Sequence, residues 1–277
     1  MQGSVLITGA STGIGLCCAQ RMASKGFRVF AGVRKEADAE RLARLDGGNI
    51  APVMLDVADE AQVERAAQHV AGSLRGAPLI GLVNNAGITC GGPLEAVSME
   101  EFRAQYDVNV FGAVAMTKAL LPQLRASRGR IVNISSVSGL VAFAGFAPYA
   151  SSKFALEAVT DALRRELHPH GVFACAVQPG AVQSAVWEKG KQQTSVRRSS
   201  LTPELATAYG PLVDWLGEIA RDIEARAISP ERVADLVEHA LTSGKPRVRY
   251  RVGPNSAIIY ALSCLPTRVV DYLAARM

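Results

Sequence analysis

Three polar side chains within one stretch of the chain are suited to moving a proton at an alcohol or carbonyl oxygen: Ser136, Tyr149 and Lys153. The serine follows the apolar, β-branched run 131–134, which is typical of a buried strand. Tyr149 and Lys153 are four residues apart, so they share one face if Tyr149 opens a helix. A hydroxyl at a strand end, a phenol and an ammonium group that meet in one place form a general acid–base site.

A glycine-rich turn near the N-terminus is the second candidate site. Gly9, Gly13 and Gly15 lie between the apolar run 4–7, a predicted strand, and a segment from Leu16 with helical spacing. Glycine lets the backbone approach a pyrophosphate, and the following helix directs its free N–H groups and positive dipole end at the phosphates. Because the glycines stand between a strand and a helix, they predict a dinucleotide site.

The end of the predicted second strand, residues 28–33, indicates which dinucleotide is bound. An Asp or Glu commonly stands there and binds the ribose hydroxyls. This chain has Val33 followed by Arg34. A guanidinium grips a 2′-phosphate with paired hydrogen bonds, which favours NADP(H) over NAD(H). The alternative is that Arg34 is only a surface residue after a strand.

Polar residues also end the next two predicted strands, at 50–55 and 79–83. Asp56 is expected to accept a hydrogen bond from the adenine amine, although it could instead help to begin the next helix. For that helix, Asp59 and Gln62 already form a predicted capping box. Asn84 and Asn85 are expected to tie neighbouring strand ends together, and the small residues Ala86 and Gly87 leave room for a flat ligand.

A long helix is predicted from the capping box of Ser98 and Glu101 to about Arg125. Asn109 lies inside it. A polar residue in such a helix usually distorts or packs the helix, and it belongs to the site only if the helix passes behind the strand that carries Ser136.

Strands and helices alternate along the whole chain, with crossovers of 15 or more residues. This order predicts an α/β fold in which helices cover both faces of a doubly wound parallel sheet of about seven strands, with ligands at the carboxyl ends of the strands. The 277 residues are interpreted as one domain. Residues 184–228 form its longest insertion, expected to cover the substrate, and residues 253–277 form a helical tail.

Composition excludes several other classes of protein. The net charge of +5 is spread along the chain, so no nucleic-acid partner is expected. No apolar run is long enough for a membrane span, and no secretory leader is recognised. The five cysteines have no metal-binding spacing and indicate reduced thiols and the cytoplasm. His168 and His170 have no acidic partner nearby, so no metal site is predicted.

Taken together, these motifs resemble the short-chain dehydrogenases/reductases. Residues 8–15 resemble that family's cofactor loop, residues 84–87 its sheet-stabilising motif, and Tyr149 with Lys153 its Tyr-x-x-x-Lys pair. Ser136, 13 residues before Tyr149, and Asn109 match its other conserved positions. The Val33–Arg34 pair is similar to the NADP-preferring members. The run 163–167 and the segment 245–250 resemble the hydroxysteroid and retinol dehydrogenase branch, whose substrates are bulky and apolar.

The resemblance implies a complete set of site residues. Tyr149 would be the acid/base, Ser136 would hold the substrate oxygen, Lys153 would bind the nicotinamide ribose, and Asn109 would position a water beside Lys153. A neighbouring Lys153 and an oxidised nicotinamide would favour the phenolate of Tyr149, whose ordinary pKa is about 10. The expected cofactor contacts are Gly9, Ser11, Thr12, Gly13, Ile14, Gly15, Arg34, Asp56, Val57, Asn85, Ala86, Gly87, Tyr149, Lys153, Pro179, Gly180, Val182 and Ser184.

The function that follows is an NADP(H)-dependent oxidoreductase for a hydrophobic secondary alcohol and its ketone, or for a retinoid-like alcohol and aldehyde. A reductase of 3-oxoacyl chains on an acyl carrier protein and a non-catalytic dinucleotide sensor remain as alternatives. The family resemblance also implies a homodimer or homotetramer. The apolar loop residues Leu140, Val141, Phe143 and Phe146 are candidates for the substrate pocket or for the core.

Overall fold

Seven strands pair as a parallel sheet in a computed structural model, which describes residues 2–45, 48–183 and 196–274. The strands lie in the order β3-β2-β1-β4-β5-β6-β7. Their bounds are β1 Ser4–Ile7, β2 Arg28–Val33, β3 Ile50–Met54, β4 Leu79–Asn84, β5 Arg130–Ile134, β6 Phe173–Pro179 and β7 Arg249–Val252. The central strands are buried on both faces, which explains their continuous apolar sequences.

Helices cover both faces of this sheet, so the predicted doubly wound architecture is confirmed. They are α1 Gly13–Ser24, α2 Glu36–Ala43, α3 Glu60–Ser73, α4 Met99–Tyr106, α5 Gly112–Ser127, α6 Ala147–Leu167, α7 Pro203–Ala225, α8 Pro230–Thr242, α9 Ser256–Ser263 and α10 Thr267–Ala274. Apolar residues of α1, α2 and α8 pack on one face of the sheet. Those of α3 and α5 and the end of α6 pack on the other. Each buried aliphatic side chain contributes about 1.5–3 kcal/mol to this core.

The strand order reverses between β1 and its two neighbours, β2 and β4. The chain moves outward on one side through β2 and β3, then returns to continue on the other side with β4. At such a switch point the loops after adjacent strands diverge and leave a crevice at their carboxyl ends. The sheet therefore places the loops after β1, β2, β4 and β5 around one opening.

The helix predicted from Ser98 to Arg125 is continuous but not uniform. Its predicted capping box is confirmed, since the Ser98 side chain accepts from the Glu101 N–H and Glu101 accepts from the Ser98 N–H. Residues Asp107–Phe111 then adopt a π-helical turn between α4 and α5. Such turns widen a helix locally and are frequent at functional sites. Asn109 lies in this turn.

The second predicted capping box is only half formed. Asp59 accepts from the backbone N–H of Gln62, as expected for an N-cap. The Gln62 side-chain oxygen does not return to Asp59; it accepts from the backbone N–H of Asp56 at 2.9 Å. The prediction of a reciprocal box was wrong because the strand-end turn at Asp56 supplies a competing donor.

The two ends of the insertion after β6 lie side by side. Val182 and Ile228 form a parallel bridge, and the Gln183 N–H donates to the Ile228 carbonyl. Residues 184–195 lie outside the described part of the chain. Beyond them, α7 buries Val213 and Leu216 against the body of the protein.

The tail that was predicted to be helical contains α9 and α10. Several of its large apolar side chains are exposed, among them Ile258, Leu265 and Tyr272. Within the described residues, no helix combines the length and apolar composition required to cross a membrane.

Candidate active site

The loops after β1 and β4 are joined by the Thr8 hydroxyl and the Asn85 amide. The Thr8 hydroxyl oxygen accepts from the backbone N–H groups of Asn85 and Ala86 at 3.0 and 2.9 Å. The Asn85 side chain donates to the carbonyls of Thr8 and Gly9 at 2.9 and 3.0 Å. These bonds satisfy backbone groups that the parallel ladder leaves open at the strand ends, and they fix the spacing of the two loops.

The glycine turn between β1 and α1 is shaped by close backbone approach. Gly9 and Gly13 have positive φ angles of 63° and 56°, where glycine carries no steric penalty. A Cβ at Gly15 would overlap the Gly9 carbonyl oxygen and the Asn85 side-chain amide. The turn is therefore a cradle that side chains would fill, at the N-terminus of α1. Such a cradle fits the pyrophosphate of a dinucleotide.

A cleft of about 490 Å³ runs along the carboxyl ends of the strands from this cradle. Most of the predicted site residues line it: Gly9, Ser11, Thr12, Gly13, Ile14, Arg34, Asp56, Val57, Asn85, Ala86, Gly87, Ser136, Tyr149, Lys153, Pro179, Gly180 and Val182. Gly15 lies behind the wall, where it lets Gly9 and Asn85 approach. Ser184 lies outside the described residues, so its predicted contact has no structural counterpart here.

Arg34 and Asp56, two of the charged residues predicted to contact the cofactor, lie on the cleft wall beyond β2. Arg34 is 59% exposed, and its guanidinium lies 3.8 Å from the Asp56 carboxylate, a long and loose pairing. The Asp56 carboxylate also accepts from the backbone N–H of Ala58. Sequence analysis missed Lys35 and Asp38, which line the same wall. Their positions within four residues of Arg34 could have indicated that they lie on the same wall.

A buried chain of amides and hydroxyls holds the next two strand ends together. The Asn84 side chain donates to the Asn133 side chain at 2.8 Å, and Asn133 donates to the Thr160 hydroxyl at 2.8 Å. Asn84 also donates to the Thr117 hydroxyl at 3.1 Å. β4, β5, α5 and α6 are thereby locked in one arrangement just below the cleft. The expectation that asparagine amides tie the strand ends is confirmed.

Ser136, Tyr149 and Lys153 meet at the wall formed by β5 and α6. Ser136 follows β5 and accepts from the Ser138 N–H, which begins a short helical turn. Pro148 in the first turn of α6 favours helix initiation there, so Tyr149 and Lys153 occupy successive turns. The Lys153 ammonium lies 5.7 Å from the Tyr149 ring centre and donates to the Ile134 carbonyl at 2.9 Å.

Burial governs the proton affinities of this cluster. Lys153 is 5% exposed, and desolvation lowers its pKa to about 8, while Glu157 one turn later acts in the opposite direction. Desolvation raises the pKa of Tyr149, against a smaller lowering by a hydrogen bond from Ser136. Desolvation of the phenolate therefore dominates at Tyr149 in the protein without cofactor, and the expected lowering of its pKa by Lys153 and an oxidised nicotinamide stays a prediction.

Asn109 connects the loop after β4 to α6. Its side-chain oxygen accepts from the Ile88 N–H at 2.9 Å, and its amide donates to the Ile88 carbonyl and to the Ser152 hydroxyl, both at 3.1 Å. A Cβ placed on Gly87 would lie 3.4 Å from the Asn109 oxygen and 3.8 Å from the Lys153 nitrogen. The amide thus lies beside Lys153, but protein groups already satisfy it.

The loop that begins at Ile88, a residue of the cleft wall, contacts two segments that are distant in sequence. We call the loop 88–96, the loop 140–146 and α7 the substrate half of the site, and the glycine turn with the loops after β2, β3 and β4 up to Gly87 the cofactor half. The Gly92 N–H donates to the Gly145 carbonyl at 2.8 Å. The Leu216 side chain of α7 packs on Gly145, so closely that a Cβ there would overlap it.

A doubly wound parallel sheet with a glycine cradle and an acid–base cluster at its strand ends defines a dinucleotide-dependent oxidoreductase. The family model described as short chain dehydrogenase matches residues 4–195. The chain belongs to the short-chain dehydrogenase/reductase family.

Its similarity to individual members extends over nearly the whole length. The NADPH-dependent 3-dehydrocapnine reductase of Ornithobacterium rhinotracheale is 35% identical over 272 residues, covering 96% of this chain and 94% of the reductase. Retinol dehydrogenase 16 of Homo sapiens is 38% identical over 275 residues, covering 96% and 86%. A short chain dehydrogenase from Burkholderia cenocepacia, solved in complex with NADP, has a TM-score of 0.75 at 27% identity and covers 99% of each chain.

Proposed function

We propose that this enzyme is an NADP(H)-dependent oxidoreductase that interconverts a hydrophobic secondary alcohol and its ketone, or a retinoid-like alcohol and aldehyde. The observation that carries the proposal is the meeting of Ser136, Tyr149 and Lys153 on the wall of a cleft that begins at a glycine cradle. A binding protein that only sensed the dinucleotide would have no chemical use for this acid–base cluster.

The chemistry assigned to these residues is proton transfer at the substrate oxygen. When bound, NADP(H) supplies the hydride in reduction and accepts it in oxidation. In reduction, the Tyr149 hydroxyl donates its proton to the carbonyl oxygen as that oxygen gains charge, and the Ser136 hydroxyl donates a hydrogen bond to the same oxygen. The raised pKa of Tyr149 keeps the phenol protonated near neutral pH, which is the form a proton donor requires.

The roles of Lys153 and Asn109 are to support this transfer. The Lys153 ammonium, held by the Ile134 carbonyl, stabilises negative charge that develops on Tyr149 and would hold the nicotinamide ribose. Asn109 keeps Ile88 and Ser152 in place around Lys153. We propose this positioning role for the Asn109 side chain, since its amide is already bonded to protein groups.

Preference for NADP(H) is supported by two cationic residues, Arg34 and Lys35, on the wall beyond β2. Arg34 is exposed towards the cleft and only loosely paired, and Lys35 lines the same wall. A 2′-phosphate there would gain charge-assisted hydrogen bonds. The similar reductase from Ornithobacterium is named as NADPH-dependent, and the similar Burkholderia structure contains NADP.

An apolar substrate is supported by the substrate half. Val141 is buried, and Phe143 and Phe146 are partly exposed in the same loop. A Cβ at Gly91 would lie 3.9 Å from the Phe146 ring, so this apolar loop packs against the loop that begins at Ile88. Retinol dehydrogenase 16, by its name, acts on an apolar alcohol.

The test is turnover with a chosen panel. NADPH and NADH oxidation are followed by absorbance with a steroid ketone, retinal, a long-chain ketone and a 3-oxoacyl thioester. We expect turnover with the first three and a preference for NADPH. Turnover of the thioester alone would favour the acyl-carrier reductase, and tight NADPH binding without turnover of any substrate would favour a sensor.

We further propose a homodimer or homotetramer. Phe111 in the π-helical turn and Phe154 on α6 are 60% and 42% exposed, and large exposed aromatic side chains are typical of interfaces. Light scattering at several protein concentrations would measure the mass. A monomer at every concentration would contradict the proposal.

A further inference from the structure

One arginine attaches the insertion to the loop after β4. The Arg197 guanidinium donates to the Gly91 carbonyl at 2.9 Å, to the Ala96 carbonyl at 2.5 Å and to the Glu101 carboxylate at 2.6 Å. It also lies 3.8 Å from the Cys90 sulfur. The side chain is 11% exposed. The guanidinium is therefore largely buried, and its acceptors lie about a hundred residues away in sequence. The contact joins two distant parts of the fold.

The loop is shaped to receive this side chain. Gly92 has a φ of +137°, and a Cβ there would overlap the Arg197 side chain. Glu101 serves two purposes with its two oxygens, since one accepts from the Ser98 N–H and the other from Arg197. The same carboxylate therefore caps α4 and holds the insertion. Burial acts to raise the pKa of Glu101, but the hydrogen bonds from Arg197 and Ser98 and the charge of Arg197 together outweigh it, so the pKa is lowered.

These contacts link the segments of the substrate half in a ring. Arg197 joins the start of the described insertion to the loop 88–96, and Gly92 joins that loop to the loop 140–146. Leu216 of α7 then packs on Gly145 and closes the ring. Apart from Arg197, the described contacts that hold α7 include the buried side chains of Val213 and Leu216 and an exposed bond from Tyr209 to Glu95.

We propose that Arg197 is a positioning residue that fixes residues 196–225 against the loops 88–96 and 140–146 and thereby gives the enzyme its affinity for bulky apolar substrates. This inference rests on the proposed function. The contacts at issue are those to the part of the substrate away from its carbonyl group. A small ketone needs only Ser136 and Tyr149, whereas a large ketone must also contact the loops and α7.

The neighbouring residue Arg198 provides a matched control. It has the same charge and size, but its guanidinium is 43% exposed and pairs with Asp214 of α7, within the insertion itself. Arg197→Gln removes the link to the body of the protein, and Arg198→Gln removes only the local one. A difference between the two variants in KM or in hydrogen exchange therefore measures the effect of the contacts from Arg197 to the loop 88–96 and to Glu101.

The kinetic experiment compares a steroid ketone with acetone in both variants at saturating NADPH. In Arg197→Gln, we expect KM for the steroid ketone to rise about tenfold to hundredfold, as expected for the loss of one charge-assisted hydrogen bond. The kcat, the kinetics with acetone and the Kd for NADPH should change less than about twofold, as should every parameter of Arg198→Gln. Arg197→Lys, which retains one donor group, should recover part of the loss. Equal losses for both ketones, or no loss, would overturn the proposal.

Amide hydrogen exchange keeps this test separate from the proposed function. In Arg197→Gln, exchange should accelerate at Gly92 and in α7 residues 203–216, while the core strands and Arg198→Gln retain the wild-type pattern. If exchange responds in this way but no ketone is reduced, the positioning role stands and the proposed function fails. If exchange in α7 is unchanged, or accelerates throughout the protein, the positioning role is wrong.

Discussion

The cofactor half and the substrate half of this site are built by different kinds of contact. In the cofactor half, Thr8 and Asn85 bond to backbone groups of neighbouring strands, and the glycine cradle is backbone throughout. In the substrate half, side chains such as Arg197 and Leu216 join loops that are far apart in sequence. The first half is an extension of the sheet, and the second is a set of loops held on it.

This difference indicates which half can change during evolution. Loosening the cofactor half disturbs strand ends that the fold requires, because the bonds that shape it also satisfy buried backbone groups. A new substrate half requires only different loops with their own anchoring side chains. The acid–base cluster stands between the two halves on β5 and α6, so it serves any substrate that the loops admit.

The largest effect is expected where the two halves meet, at Tyr149. Tyr149→Phe keeps the ring and removes the proton donor, so turnover should fall by about 10²- to 10⁴-fold, the usual contribution of a general acid. The Kd for NADPH, measured by nucleotide fluorescence, should stay within about threefold. A variant that retains most of its turnover would show that another group supplies the proton.

The next largest effect is expected on the free energy of unfolding, because burial of the charged Lys153 side chain destabilises the folded protein. Its pKa is about 8 in the folded protein against 10.5 in the unfolded chain, so between these values the unfolded chain binds more protons. The contribution of Lys153 to stability should therefore rise with pH across that window. Relative to Lys153→Met, the gain should approach about 3 kcal/mol, since one pKa unit corresponds to about 1.4 kcal/mol.

Urea unfolding of the wild type and Lys153→Met from pH 7 to pH 10.5 measures this cost. The change of the difference with pH is the informative quantity, because it reports the titration of Lys153, whereas the packing of the side-chain stem contributes equally at every pH. Lys118, which is exposed on α5, gives a control in Lys118→Met. A difference that stays constant with pH would show that Lys153 is not destabilised by burial.

The cofactor half could be predicted from sequence because its signals are local. The glycines at 9, 13 and 15 and the asparagines at 84 and 85 each lie within a few residues of the strand that positions them. The doubly wound fold was predicted on the same basis, from apolar runs that alternate with helical spacing. Both predictions used only short-range patterns, and the family and fold comparisons confirm the class of protein and the architecture.

The substrate half could not be predicted in the same way. Arg197 appeared in sequence as one of two adjacent arginines, and nothing local distinguishes it from Arg198. The acceptors that hold it are backbone carbonyls, which every residue has. The π-helical turn at Asn109 and the competing acceptor role of Gln62 were missed for the same reason, since both depend on which tertiary partner is nearest.

A matched pair of glycine substitutions tests the division between the halves. In Gly15→Ala, the new methyl group meets the Gly9 carbonyl and the Asn85 amide, which cannot move without the strand ends. In Gly145→Ala, it meets the Leu216 side chain at a residue with a φ of +77°. Each should cost about 1–3 kcal/mol of stability through overpacking and backbone strain.

The two variants should differ in the ligand that they affect. Gly15→Ala should weaken NADPH binding by about tenfold, as for a misplaced hydrogen bond to a phosphate, and leave the ratio of kcat/KM for steroid ketone and acetone unchanged. Gly145→Ala should change that ratio and leave the Kd for NADPH unchanged. If both variants altered both quantities, the two halves would not be separable.

The smallest effect is expected at Arg34, because its side chain is largely exposed and a solvated guanidinium gains less from a phosphate than a buried one. Arg34→Ala should raise KM for NADPH by about tenfold and leave KM for NADH nearly constant, as expected from one partly screened charge-assisted hydrogen bond. Arg44→Ala, on the exposed end of α2, controls for a general loss of positive charge. Because the effect is electrostatic, the preference for NADPH should also shrink with added salt in the wild type and not in Arg34→Ala. If the ratio of KM for NADPH to KM for NADH is unchanged in Arg34→Ala, the 2′-phosphate is bound by Lys35 or by no cation on this wall.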